Sequence, residues 1–351
     1  MRVPVFLLVV AIGLGCSSPP PTATAVMARE PNHLFWGEAT SAEAGTVDTG
    51  SERSTDFAIV TATSGGEGIT QAAWLQAVET ADSEYVACVY TTLVGWKSSS
   101  EEGVPPQTLI VEAPPEAAPT ESTDVEVVGL PNDRSAGPLR PPNAQRVDTR
   151  ASLAAWAEEN TRTSIYRSFE RSEIYATRGS RIRLRFFGGW EFNRKMSNNS
   201  GMVRLGYTFG HPMGSELKGN PKDRSPKFMV YAVADPNGAA LERIQIVKGS
   251  LAPDGSIREE AYDVIGAAAY QIEQMKRKHR RKNPPPATEP GVPALHGFWI
   301  DPEFDPSVPS FYVMQAFELP GPGGVPGSSV DSPSAYTAPI WYLPPTGEDS
   351  P

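Results

Sequence analysis

Four histidines, His33, His211, His279 and His296, are the whole imidazole complement of a 351-residue chain. No His-x-His, Asp-His or His-x-x-x-His spacing occurs, so a multinuclear histidine-rich metal site cannot be assembled by the usual rules. Glu38, Glu67, Glu112 and Asp133 remain as oxygen donors for one hard cation such as Mg²⁺, Mn²⁺ or Ca²⁺, and Glu38 and Asp133 are the candidate metal ligands among them. Against that stands the composition. With 41 acids and 31 bases, solvated carboxylates are the ordinary case. Nucleophile and phosphate chemistry find less. The sequence holds no Gly-x-Ser-x-Gly elbow and no Walker loop. Gly65-Gly66-Glu67-Gly68 lacks a phosphate-binding lysine and reads as a loop. The neighbours Glu158 and Glu159 cannot both face one site, and acids at a helix start are explained by the helix dipole. Arg181, Arg183 and Arg185 alternate with apolar residues and share one face of a strand, read as a solvated face rather than an anion site. No residue is assigned as catalytic, and no cofactor is expected.

Composition bounds the classes. The net charge of −10 would repel a phosphate backbone, which argues against nucleic acid as a partner. The 31 Gly and 35 Pro predict short elements joined by long connections. Met1-Arg2 followed by the apolar run Val3–Ile12 is too short to span a bilayer as a helix. It ends at Gly13-Leu14-Gly15-Cys16. This resembles a bacterial lipoprotein signal cut before Cys16, although the usual leucine three places before the cysteine is Gly13. The resemblance implies lipidation of Cys16 and a cell-envelope destination. Ser17-Ser18 after the cysteine points to the outer membrane, facing the periplasm or the cell surface. Residues 16–30 then read as a Pro/Ser/Thr/Ala-rich tether. With Cys16 lipidated, no intramolecular disulfide is available, and Cys88 is expected to be a small buried hydrophobe.

Between 31 and 150, strands are predicted at His33–Trp36, Asp56–Thr61, Tyr85–Val94, Thr108–Val111 and Val125–Gly129, with a helix over Gln71–Ala81. Helices are predicted at Ala151–Ala157 and from Arg162 to about Arg171, the second capped by Asn160 or Thr161. Arg181–Phe186 is a half-buried strand. Strands follow at Lys227–Val233, Glu242–Lys248, Arg258–Val264, Phe311–Leu319 and Pro339–Leu343, with a helix over Ile265–Lys282 ending in the basic run Lys276–Lys282. That run suits a helix C-terminus and, on a tethered chain, could also touch anionic head groups. The fold class is α/β. The expected division is 1–15 signal, 16–30 tether, 31–177 α/β region and 178–351 β-rich region.

Seven segments, in order, resemble a bacterial family catalogued as a domain of unknown function: Trp156 to Arg162 (WAEENTR), Glu173 to Thr177 (EIYAT), Arg181 to Trp190 (RIRLRFFGGW), Pro212-Met213-Gly214, Leu241 to Gly249 (LERIQIVKG), Asp301 to Pro306 (DPEFDP) and Ala338 to Tyr342 (APIWY). The family is distantly related to the polymerase-and-histidinol-phosphatase (PHP) metallohydrolases. The resemblance implies a shortened PHP-like α/β core followed by a β-rich C-terminal part, with any metal site in the first half. There the family pattern is eroded. Its Trp-Gly-Asp-Thr-His-x-His is Trp36-Gly37-Glu38-Ala39-Thr40-Ser41-Ala42 here, and its strand ending in Asp-His leads here to Ala62-Thr63. Gly95 stands where the family has an acid. Glu112, Asn132 and Arg134 fall near places of its remaining ligands.

The expectation is therefore a membrane-tethered, catalytically inactive relative of PHP-like hydrolases that binds a small-molecule or protein partner. Two alternatives stand beside it: a phosphoesterase-like hydrolase with a carboxylate site, and a structural envelope lipoprotein.

Overall fold

The computed structural model describes residues 31, 33–41, 55–62, 64–65, 68–97, 108–111, 114, 128–129, 151–217, 224–279, 290–320 and 334–345. Residues 1–30, with the expected signal and tether, lie outside these, as do Glu67, Glu112 and Asp133.

The first half is built around a parallel core. Strand β1 (His33–Ser41) runs parallel to β2 (Phe57–Ala62). A two-residue pair, β3 (Ser64–Gly65) with β4 (Gly68–Ile69), leads into α1 (Gln71–Glu84), and the chain returns as β5 (Thr91–Lys97), parallel to β2. Thr70 starts α1, its hydroxyl accepting the Ala73 N–H at 3.2 Å. Trp74, Ala77 and Ala81, three and four apart, then bury one helical stripe against Val60, Ala62, Val94 and Val111. Strand β2 is buried along its whole length because both of its faces are covered. Val60 and Ala62 meet α1; Phe57 and Ile59, on the other side, meet Ile165 and Phe169 of α2.

Antiparallel strands extend this core both ways. Beyond β5 come β6 (Thr108–Val111) and β7 (Val128–Gly129). On the other side β8 (Ala151–Ala157) pairs with β1, α2 (Arg162–Glu170) crosses back, and β9 (Ile174–Arg178) pairs with β8. The chain then builds a second sheet. It begins β10 (Arg183–Gly189), α3 (Arg194–Ser197), α4 (Met202–Phe209), β11 (His211–Pro212), β12 (Glu216–Leu217) and β13 (Lys227–Val233). After the hairpin β14 (Leu241–Leu251) and β15 (Ile257–Gly266) come α5 (Ala267–His279), β16 (Ala294–Ile300), β17 (Ser310–Glu318), β18 (Ala335–Thr337) and β19 (Ile340–Tyr342). Strands β11-β10-β13-β16 form a four-stranded antiparallel sheet, while β17, β18 and β19 rejoin the large sheet, β18 pairing with β9. The main core lies between the two sheets, where Trp36, Trp156 and Tyr175 meet Leu184, Phe186, Phe228, Val230, Ile246 and Met314. The outer face of the four-stranded sheet packs Phe187 and Met229 against Met202 of α4.

The α/β class holds, and four local expectations are corrected. Ala151–Ala157 is a strand, not a helix. Its alanines favour a helix locally, but the slot between β1 and β9 is covered on both faces, Leu153 and Ala155 toward α2 and Ala154 and Trp156 toward the second sheet. Tertiary packing overrides the propensity. Tyr85–Val94 is a strand only from Thr91; Val86 to Tyr90 is a tight turn. Cys88 sits in that turn at φ 65°, half-buried and disulfide-bonded rather than a free thiol in the core. The three arginines of β10 and its approach do not share a solvated face: Arg183 is exposed, but Arg185 is buried.

Candidate functional site

The two motifs expected to open a metal site meet, and what they make is a joint. The Trp36 N–H donates to Asp56 Oδ2 at 2.8 Å, and the Asp56 N–H donates to the Trp36 carbonyl at 2.6 Å. Gly37 lies opposite Phe57 in the register. A Cβ there would stand 2.2 Å from the Phe57 ring, so only glycine fits beside that aromatic. Glu38, the next residue, is exposed. Among the described residues no group of three or more His, Cys, Asp or Glu is placed to hold a metal. Asp133, the other candidate ligand, lies outside the described residues, as do Glu67 and Glu112.

The Trp156 to Arg162 segment is likewise a joint. Ser164 Oγ accepts the N–H groups of both Glu158 and Glu159, and Thr161 caps α2. Asn160 is buried and donates from Nδ2 to the carbonyls of Asp56 and Val89 at 2.9 and 3.1 Å. Arg162 donates to the carbonyls of Thr92 and Ala81, pairs with Asp82 and lies over the Tyr85 ring. Asn160 and Arg162 thus tie α2 to the ends of β2, α1 and β5. Gly214 has a similar explanation. Its φ is +83°, and a Cβ would lie 2.2 Å from the Ser172 carbonyl oxygen.

Buried charge concentrates elsewhere. Arg185 on β10 donates to Tyr207 Oη and to the Pro31 carbonyl, both at 2.8 Å, and stacks on Trp156. The Tyr207 hydroxyl in turn donates to Glu173, whose other oxygen accepts from Arg171. Burial raises the Glu173 carboxyl above its ordinary range, opposed by the Tyr207 hydrogen bond and by Arg185. Burial also lowers the Arg185 guanidinium, opposed by Tyr207 and Glu173. Both Nη groups of Arg185, the Tyr207 hydroxyl and both Glu173 oxygens are thus engaged within the protein.

A second buried pair joins Lys248 of β14 to Asp301. Lys248 Nζ lies 2.7 Å from Asp301 Oδ2 and donates to the Glu303 carbonyl. Asp301 also accepts from Tyr312 Oη at 2.7 Å and from the Glu303 N–H. Burial, then the adjacent Asp301 charge, pushes the Tyr312 hydroxyl far up. The signal for Lys248 was present in the sequence. Ile244, Ile246 and Lys248 are two apart and so share one strand face, and the two isoleucines are core residues.

The half-buried polar group of the second sheet is His296 on β16. Register places Arg185, Tyr231 and His296 side by side across β10, β13 and β16. Asn198 donates from Nδ2 to the Arg194 carbonyl, which turns its Oδ1 toward Arg277 Nη1 at 2.9 Å and His296 Nε2 at 2.8 Å. His296 therefore carries its proton on Nε2, and Nδ1 accepts from Tyr270 Oη at 3.0 Å. Burial and then Arg277 lower the imidazole, with Glu273 opposing; burial raises the Tyr270 hydroxyl. The ordinary gap between tyrosine and histidine, about 3.5 in pKa, already corresponds to about 5 kcal/mol. Widening it keeps the proton on Tyr270. The pair is a hydrogen-bonded strut joining α5 to β16, not an activated nucleophile. A lone histidine on a strand gave no spacing signal, so nothing in the sequence pointed to it.

Neither the curated proteins nor the solved structures include a significant match to this chain. A family model described as "Protein of unknown function (DUF3604)" matches residues 140–344, a span that holds Glu173, Arg185, Lys248, Asp301 and His296. That match covers more than half of the sequence, and the chain belongs to the DUF3604 family.

Proposed function

We propose that this chain is a membrane-tethered, PHP-like scaffold that acts by binding a ligand or partner and not by metal-dependent hydrolysis. One observation carries the reading. In an open α/β sheet the ligand crevice lies beyond the carboxyl ends of the parallel strands. Here β1 ends at Thr40-Ser41 and β2 at Thr61-Ala62. The hydroxyl and methyl groups of that donor set do not fit a multinuclear cation site, which needs imidazole and carboxylate ligands, so no hydrolytic step is derived from it. The acids and bases that are held firmly, Glu173, Arg185, Lys248 and Asp301, are fully engaged with one another.

Metal content by mass spectrometry tests this, on protein purified without chelator and then offered Mn²⁺, Zn²⁺ or Mg²⁺. Substoichiometric metal in all three cases is the expected result. One or more ions per chain, lost in Glu38→Ala, would establish the carboxylate-site hydrolase instead.

A further inference from the structure

The helices over the outer side of the four-stranded sheet carry a charge opposite to that of the whole protein. The net charge is −10, yet Arg194 and Lys195 on α3, Arg204 on α4, and Lys276 and Arg277 at the end of α5 are all exposed. The Arg277 bond to Asn198, which sits between α3 and α4, brings the end of α5 to the other two helices. Among the described residues none of these five cations takes part in an ion pair. The sole acid on the three helices, Glu273, is half-buried. Phe209, the last residue of α4, is 46% exposed.

Two further facts bear on what this face meets. The buried residue Pro31 is held through its carbonyl by Arg185, and Arg185 also holds Tyr207 of α4. The chain therefore enters the described structure against this helical layer. Basic side chains with an exposed aromatic are the combination that binds an anionic interface.

We infer that the α3–α4–α5 face docks on an anionic membrane surface, with Arg194, Lys195, Arg204 and Lys276 meeting lipid phosphates and Phe209 entering the head-group layer. The docking needs neither lipid on Cys16 nor metal, so its failure would leave the metal measurement untouched.

Vesicle co-sedimentation tests it, using the chain without residues 1–15 and without lipid. Binding to phosphatidylglycerol-containing vesicles should exceed binding to pure phosphatidylcholine by at least about tenfold and weaken with salt. The triple variant R194Q/K195Q/R204Q should lose about 100-fold, and Lys276→Gln about fivefold. Arg258→Gln, on the exposed β14–β15 hairpin, should change nothing, and unchanged circular dichroism certifies the fold of each variant. Equal binding to both vesicle types, or a folded triple variant that binds like the parent, would overturn the inference. So would heparin retention as tight as vesicle binding and indifferent to Phe209→Ser, which would reassign the face to a soluble polyanion.

Discussion

Lys248 Nζ and Asp301 Oδ2 stand 2.7 Å apart with both side chains almost wholly out of solvent. Such a pair adds little over an apolar replacement, but breaking it leaves a buried charge uncompensated. Asp301→Ala should therefore cost about 3–5 kcal/mol in urea unfolding. The double change Lys248→Met with Asp301→Leu should cost less than the single change. A single-variant loss below about 1 kcal/mol would mean that water reaches the pair.

Gly37 and Phe57 make a second test. Gly37→Ala should destabilise by about 1–3 kcal/mol through overpacking. Adding Phe57→Leu should recover part of that, because the ring is what the new methyl meets. Additive losses in the double-mutant cycle would show that the two sites do not couple.

Arg162 separates two effects. Its partner Asp82 is 58% exposed, and surface pairs contribute about 0–1 kcal/mol. Its bonds to the Thr92 and Ala81 carbonyls are part-buried and harder to replace with water. Asp82→Ala should cost under about 0.5 kcal/mol, and Arg162→Ala about 2 kcal/mol or more. Comparable losses from both would place the stabilisation in the ion pair.

His296 makes stability depend on pH. The folded chain holds the imidazole below its ordinary value of 6.5, through burial and Arg277. The unfolded chain then binds the proton more readily, so stability is complete above 6.5 and falls as pH drops through that value toward the lowered one. Chemical denaturation midpoints should rise between pH 5 and 7, and His296→Gln should flatten that rise. A slope unchanged in the variant would assign the titration to other groups.

Much of the frame was legible in the sequence because it depends on local rules. The helix expected over Gln71–Ala81 is α1, and its buried stripe is Trp74, Ala77 and Ala81. Thr161 capped α2 as a cap should. Ala151–Ala157 was misread because its conformation is imposed by β1 and β9, which lie far away in sequence. Arg185 was misread because alternation identifies a face but not what covers it, and α4 covers this one only after the chain has turned back. The His296 strut joins Tyr270 and His296, 26 residues apart, and Asn198 meets His296 from 98 residues away, distances at which spacing carries no information. The Trp36–Asp56 joint shows the converse. Two segments that could be recognised as motifs turned out to be recognisable for their packing.

The pairing of β9 with β18 has a consequence for how the molecule is made. Thr177 lies opposite Ala335, so the edge of β9 stays open from the moment it is made until residue 335 has followed. Exposed edges of this kind recruit other strands, and long-range closure is slow. Ala176 and Tyr175, which wait for Tyr336 and Thr337, make the nascent chain dependent on a holding partner or on fast delivery of its last residues. A truncation before residue 335 should accumulate as aggregate even though it retains the parallel strands β1, β2 and β5 and the helices α1 and α2.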